Sequence, residues 1–135
     1  IVGDGSRQRE LESVVRRKGN SLHVSFEGRQ DPAPYYALAD LVLVPSKYEG
    51  YGNVIVEALA AGKPVLSTDV GIAKDAGAII AEPAHFTDAL REWVAHGERT
   101  GSLKLTPYAN FEAYVAAYCG DLQMASKSVT EPTTL

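Results

Sequence analysis

The sequence predicts a single doubly wound α/β domain, in which a parallel sheet carries helices on both faces. Short apolar segments alternate with segments of helical periodicity, and glycines stand at the junctions between them. The 135 residues leave no room for a second domain of ordinary size, about 150 residues. In such sheets ligands bind outside the carboxyl ends of the strands. The loops of interest follow Val2, Phe26, Val44 and Ser67.

The first half of the chain is predicted to contain two helices and three strand segments. Ile1 and Val2 look like the end of a buried strand, so we expect a fragment or degenerate remnant of a longer protein; a short edge strand of a complete small domain is the alternative. Ser6 is a suitable N-cap for the first helix and Gly19 a suitable C′ residue. The segments are a helix over 7–18, a strand over 22–26, a helix from 31 to 40 that Asp31 and Pro32 open, and a strand over 41–44.

The strand over 41–44 is wholly apolar and is stopped by Pro45. Continuous apolar character is typical of a strand buried on both faces, so this strand is predicted to lie at the centre of the sheet. The second half continues the alternation, and residues 126–135, rich in Ser, Thr and Pro, are expected to be a disordered tail behind a domain of residues 1–125. The predicted elements of the second half of the chain are helices over 53–61, 85–95 and 111–124 and strands over 64–67 and 78–81.

Composition excludes several functional classes. A formal net charge of −4 has the wrong sign for phosphate neutralisation, so nucleic acid is not an expected partner. The single Cys119 excludes an internal disulfide and a cysteine-based zinc site, and the histidines lack ligand spacing, so no metal site is predicted. No apolar stretch approaches the roughly 18 residues of a membrane span, and no signal region opens the chain. We expect a soluble protein in a reducing, cytoplasmic setting.

The loop and helix after residue 44 hold the most informative chemistry. Glu57 is the only charged residue between Gly50 and Gly62, in a helix otherwise so apolar that we expect it not to face solvent. A carboxylate in such surroundings needs a hydrogen-bond partner. A structural ion pair of Glu57 with Lys63 or another nearby cation is one alternative, and Glu49 could be an ordinary solvated loop acid.

Asn53 and Glu57 are four residues apart and share a helix face, whereas Val54, Ile55, Ala58 and Leu59 are expected to cover the other side. The helix N-terminus follows Gly50 and Gly52, which could shape a turn or let a ligand approach the backbone. Free amides and the helix dipole suit a phosphate, and a carboxylate one turn further along suits sugar hydroxyls. The pattern therefore favours a ligand that is both phosphorylated and polyhydroxylated.

The run over residues 45–65 resembles the donor-binding signature of retaining glycosyltransferases of the GT-B fold, in the large family four. That signature is a Glu, seven residues and a second Glu, here Glu49 and Glu57. The resemblance covers about residues 1–95 and implies the second, Rossmann-like half of a GT-B fold, lacking its first strand and helix. Further landmarks lie in the same order at 1–5, 24–28, 39–40 and 68–71.

The resemblance implies a role for each site residue. Glu49, the catalytic candidate, would hold hydroxyls of the donor sugar, and Glu57 would accept hydrogen bonds from the ribose. The turn at Gly28 and Arg29 would lie against the base. The donor substrate would be a nucleotide diphosphate sugar, transferred with retention and without metal or another cofactor, mostly by orientation and charge stabilisation. Backbone amides of Gly50, Tyr51, Gly52, Asn53 and Val54 would contact the sugar and the diphosphate.

The chain also departs from the family pattern. The acceptor-binding N-terminal domain is absent, as are an upstream Arg and Lys that would contact the diphosphate, so we expect the isolated chain to be inactive. The stretch after Gly71 is shortened, and the last helix could leave Tyr114 and Tyr118 exposed and drive homodimerisation. The full-length enzyme could lie peripherally on the inner membrane face. The alternatives are a non-catalytic interaction module and another GT-B enzyme such as a nucleotide-sugar epimerase, against which the spacing of the two glutamates argues.

Overall fold

Helices and strands alternate from residue 33 to residue 96, as the sequence predicts, whereas the first two helices follow each other without a strand between them. The computed structural model describes residues 1–104 together with Ala116 and Cys119. The predicted helix over 111–124 and the predicted tail over 126–135 therefore lie outside the described residues. The elements are α1 (Gln8–Arg17), α2 (Ala33–Leu38), β1 (Val42–Val44), α3 (Asn53–Ala60), β2 (Val65–Ser67), α4 (Ala73–Ala76), β3 (Ile79–Ile80), a 3₁₀ turn (Pro83–His85) and α5 (Phe86–His96).

The three strands form one parallel sheet in the order β1-β2-β3. Val42 pairs with Val65, and Leu66 pairs with Ile79. Strand β2 is the middle strand, and all three of its residues are buried. The prediction that residues 41–44 form the centre is wrong for the described sheet, because β1 lies at its edge and Leu43 is 45% exposed. The predicted α/β class with a parallel sheet is confirmed.

The core lies between the sheet and helices α3 and α4. Ile55, Ala58 and Leu59 of α3 are buried, as predicted. The small side chains Ala73 and Ala76 are fully buried and let α4 pack closely against α3. The sequence analysis missed α4 because four residues are too few to show helical periodicity.

The N-terminal segment packs less tightly. Helix α1 has no buried residue, and its N-cap is Arg7 without a side-chain hydrogen bond, so the predicted cap Ser6 is wrong. The predicted strand over 22–26 is also wrong. The amides of His23 and Val24 both donate to the carbonyl of Asn20, which closes a turn instead. Val2 forms an isolated bridge with Gly28.

The remaining helix boundaries follow local chemistry. Helix α2 begins at Ala33 with Pro32 as its N-cap, one residue later than predicted, so the predicted cap Asp31 is wrong. The Oδ1 atom of Asp31 still accepts a hydrogen bond from the Ala33 amide at 3.0 Å and so stabilises the turn into the helix. Gly62 has a φ of +76°, the left-handed conformation that glycine adopts freely just after a helix. These two ends fix the segments that lead into β1 and β2, and hence the positions of the loops that follow those strands.

Candidate functional site

The loop after β1 is held in place by the loop after β2. The Thr68 amide donates to the Val44 carbonyl at 3.2 Å, and the Thr68 hydroxyl donates to the Ser46 carbonyl. Further along, the Ile72 amide donates to the Tyr51 carbonyl at 2.9 Å. Both loops leave the carboxyl ends of neighbouring parallel strands, where α/β sheets bind ligands. The links give residues 45–52 a defined conformation at that edge.

Gly71 makes the contact between these two loops possible. Its φ of +50° lies in the left-handed region, and a Cβ at this position would overlap the carbonyl oxygen of Tyr51. A side chain at residue 71 would therefore push the two loops apart. The landmark that the sequence analysis noted at residues 68–71 thus has a packing role beside the site.

Glu49 is half-buried in the loop after β1. Its Oε1 atom accepts a hydrogen bond from the Ser46 hydroxyl at 2.7 Å. A carboxylate offers about four acceptor positions, so several remain available for ligand donors. The alternative that Glu49 is an ordinary solvated loop acid fits this arrangement less well, because a defined partner orients the side chain.

The N-terminus of α3 follows directly on that loop. Gly52 is its N-cap with a φ of +93° and carries no side chain that could cap the helix. The first amide to donate back is that of Ile55, at 2.9 Å from the Gly52 carbonyl. The amides of Asn53 and Val54 therefore precede the first bond of the helix and carry its partial positive charge. Asn53 is exposed, and Gly50 has open space where a Cβ would stand.

Glu57 lies one turn further along α3 and is exposed, so the expectation that this helix faces no solvent is wrong. Its Oε2 atom accepts a hydrogen bond from the Tyr36 hydroxyl at 2.9 Å, which supplies the predicted partner. Among the residues the structure describes, ion pairs join only Arg7 to Glu10 and Arg91 to Asp88, so the alternative pairing with Lys63 is not found. Burial of the phenol, together with its bond to the carboxylate, raises the pKa of Tyr36 to about 12.

A cleft of about 410 Å³ lies beside this pair, between the edge of β1, helix α2 and the start of α3. Arg29, Tyr36 and Val54 line it, so it joins the turn after Gly28 to the helix that carries Glu57. Val54 is 46% exposed, and the expectation that it covers the buried side of α3 is wrong. Residues 49–53 do not line this cleft, whereas the next residue along α3, Val54, does.

Sequence reasoning missed three residues that orient the site. Ser46 and Thr68 are the second residue after β1 and the first after β2, a position that could have drawn attention to their hydroxyls. Tyr36 carried no signal, because an aromatic residue in a short amphipathic helix is ordinarily part of the core. It is indeed in the core, at 7% exposure, and only its hydroxyl reaches Glu57.

Residues 1–96 match the family model described as glycosyl transferases group 1. The chain belongs to this family. The lipopolysaccharide glucosyltransferase WaaG of Escherichia coli K12 is 39% identical over 90 residues, which cover 62% of this chain and 24% of the relative. The predicted family is confirmed.

Two solved structures share the fold of this group 1 glycosyltransferase chain. Sucrose-phosphate synthase from Thermosynechococcus elongatus has a TM-score of 0.68 at 26% identity, over 93% of this chain and 36% of that one. Anabaena HepE in complex with UDP-glucose has a TM-score of 0.61 at 27% identity, over 73% of this chain and 31% of that one. The fold is thus the Rossmann-like C-terminal domain of a GT-B glycosyltransferase, as predicted. The chain spans only 20–24% of the length of three curated relatives.

No helix within residues 1–104 is both long and apolar enough to cross a bilayer. In the same part of the chain, no three His, Cys, Asp or Glu side chains cluster as a metal site would require. Metal-independent chemistry stays a prediction.

Proposed function

We propose that the chain is the donor-binding domain of a retaining glycosyltransferase that moves a sugar from a nucleotide diphosphate sugar to an acceptor bound by another domain. The observation that carries the proposal is the arrangement around α3: along the chain its N-terminus follows Glu49 and precedes Glu57 by one turn, and a hydroxyl orients each of these carboxylates. An anion site flanked by two strong acceptors suits a diphosphate with a hydroxylated group on each side.

The parts of the donor can be assigned to parts of this surface. The amides and dipole of the α3 N-terminus would stabilise the diphosphate as charge develops on it when the sugar leaves. Glu57 would accept the ribose hydroxyls, and the base would enter the cleft between Arg29 and Val54. Glu49 would accept hydroxyls of the transferred sugar. The HepE structure, which is a complex with UDP-glucose, supports a ligand of this class.

Catalysis in this proposal depends on orientation and electrostatics, without a cofactor. The acceptor and the cations that would face the diphosphate belong to other parts of the enzyme, so the isolated chain binds donor weakly and transfers no sugar. The proposed role is polysaccharide or lipopolysaccharide assembly in the cytoplasm, beside the inner membrane face, which fits a relative such as WaaG, a lipopolysaccharide glucosyltransferase.

Titration with UDP and UDP-glucose, observed by NMR and calorimetry, tests the proposal. We expect the amides of residues 50–57 to shift, and Glu49→Gln to lower the affinity for UDP-glucose about tenfold while leaving that for UDP unchanged, because only the sugar contacts this carboxylate. Glu92→Gln on α5 makes the same charge change far from the loop and serves as control. If neither UDP nor UDP-glucose at millimolar concentration produces a chemical-shift change or a heat of binding with the wild-type chain, the proposal is contradicted.

A second candidate is a non-catalytic module that pairs with another copy through exposed apolar surface. The observation that favours it is the N-terminal segment, where Ile1 is 59% and Leu11 45% exposed and α1 buries no residue. Sedimentation at increasing protein concentration separates the two candidates. A dimer with no response to UDP-glucose favours the module, and a monomer that binds UDP-glucose favours the donor domain.

A further inference from the structure

We infer that Tyr36 is a positioning residue for hydroxyl recognition: it fixes one oxygen of the Glu57 carboxylate and so aims the rest of that carboxylate at a vicinal diol of the ligand. The inference rests on the proposed function, because the diol is that of the nucleotide ribose. Its physical basis is the hydrogen bond from the Tyr36 hydroxyl to Oε2 of Glu57, at 2.9 Å.

The two ends of this hydrogen bond differ in burial. Tyr36 is 7% exposed, and its ring packs in the core cluster with Ile55 and Ala58, which belong to the same helix as Glu57. Glu57 is exposed, and a free glutamate on a helix surface samples several rotamers whose entropy is lost on binding. A bond from an anchored phenol removes much of that freedom before the ligand arrives, which is preorganisation.

The bond also determines what Glu57 can still accept. A carboxylate has about four acceptor positions, and the phenol uses one of them on Oε2. Within the described part of the chain, Oε1 has no hydrogen-bond partner. Two neighbouring hydroxyls can therefore bind to the remaining positions. The raised pKa of Tyr36 keeps the phenol a donor throughout the physiological pH range.

The phenol has no direct role in this picture, so its effect must pass through Glu57. The sequence provides a matched control for the loss of a hydroxyl. Tyr35 is the neighbouring residue on α2, but its hydroxyl donates to Glu27, at 3.3 Å. Tyr35→Phe thus removes the same group from the same helix without affecting Glu57.

The experiment compares the affinities of the chain for UDP and for 2′-deoxy-UDP in wild type, Tyr36→Phe, Glu57→Gln and the double variant. Wild type is expected to prefer UDP by about tenfold, because a hydroxyl bonded to a carboxylate is a strong contact. Tyr36→Phe keeps the buried ring and should reduce this preference to about threefold, since Glu57 must then be ordered by the ligand itself. Glu57→Gln should reduce it similarly or further. Tyr35→Phe should keep the wild-type preference.

The double variant tests whether Tyr36 acts through Glu57. Once Glu57 is Gln, removal of the phenol should hardly change the preference for UDP over 2′-deoxy-UDP. The effects of the two substitutions on this preference should therefore not add. Additive losses would overturn the inference, as would an unchanged preference for UDP in Tyr36→Phe. Both results leave the proposed function standing. Failure of wild type to bind UDP at all would instead overturn the proposed function and, with it, this inference.

Discussion

The two ends of the sheet are built from different interactions. At the carboxyl end, loops are joined by hydroxyls and backbone amides, such as the links from Thr68 to the chain at Val44 and Ser46. At the amino end, the segment after α5 bonds to the residues that precede β2 and β3: the Gly101 amide donates to the Gly62 carbonyl and the Lys104 amide to the Ala76 carbonyl, both at 2.9 Å.

A buried aromatic ring adds to these backbone hydrogen bonds at the amino end. Trp93 is 6% exposed, its Nε1 donates to the Glu98 carbonyl at 3.2 Å, and the guanidinium of Arg99 lies 4.3 Å from the ring centroid. The carboxyl end, by contrast, keeps two oriented carboxylates with spare acceptor capacity. We therefore expect stability and the proposed ligand recognition to be separable, and substitutions at the two ends test this expectation.

The largest effect is expected from Trp93→Ala at the amino end. It removes a buried aromatic side chain, a change that costs about 3–5 kcal/mol of unfolding free energy. Donor affinity measured on the remaining folded protein should not change. Urea unfolding followed by circular dichroism is the suitable measurement, because the variant loses the single tryptophan. Val94→Ala, at a 58% exposed neighbour, is the control and should cost little. A loss of donor affinity at folded concentrations in Trp93→Ala would show that the two ends are coupled.

A matched pair of glycine substitutions gives the next largest effect. A Cβ at Gly71 would overlap the Tyr51 carbonyl at the carboxyl end, and a Cβ at Gly101 would overlap the Lys63 carbonyl at the amino end. Each alanine variant should lose about 1–3 kcal/mol of unfolding free energy, because the backbone must shift. Only Gly71→Ala should also weaken UDP-glucose binding, by about tenfold, since it displaces the loop before α3. Equal affinities in the two variants would contradict the separation of the two ends.

The same contrast explains what the sequence could predict. The loop from Glu49 to Gly52 and helix α3 after it have strong local sequence signals. These signals are the apolar strand before the loop, the glycines within it and the isolated carboxylate in the helix. The predicted positions of the strand and the helix are confirmed. The partner of Glu57 could not be predicted, because Tyr36 is 21 residues away and meets it only through tertiary packing.

The sequence also failed to predict the edge of the sheet and the turn near residue 24. The apolar run of β1 predicted a central strand, but sheet order depends on long-range pairing, and β1 lies at the described edge. The alternating pattern near residue 24 predicted a strand where two amides that converge on the Asn20 carbonyl form a turn. In both places, non-local or backbone interactions outweigh side-chain periodicity.

The smallest predicted effect is a pH dependence at the carboxyl end. The pKa of Tyr36 rises from 10.0 to about 12 in the folded protein, first because of burial and then because of the bond to Glu57. Below pH 10 the phenol is protonated in both states and adds no pH dependence. Between pH 10 and about 12 the unfolded chain releases this proton and the folded chain keeps it, so the free energy of unfolding should fall, by at most about 1.4 kcal/mol per pH unit. The chain contains seven tyrosines, so the quantity to measure is the difference in urea midpoint between wild type and Tyr36→Phe at pH 9, 10 and 11, which isolates this one phenol. As the pH rises, the urea midpoint of wild type should fall relative to that of Tyr36→Phe. A difference in midpoint that stays constant with pH would show that the phenol is not held as described. Glu57→Gln should narrow the pH range over which the free energy of unfolding falls. It should not abolish that fall, because burial, the larger cause of the raised pKa of Tyr36, remains.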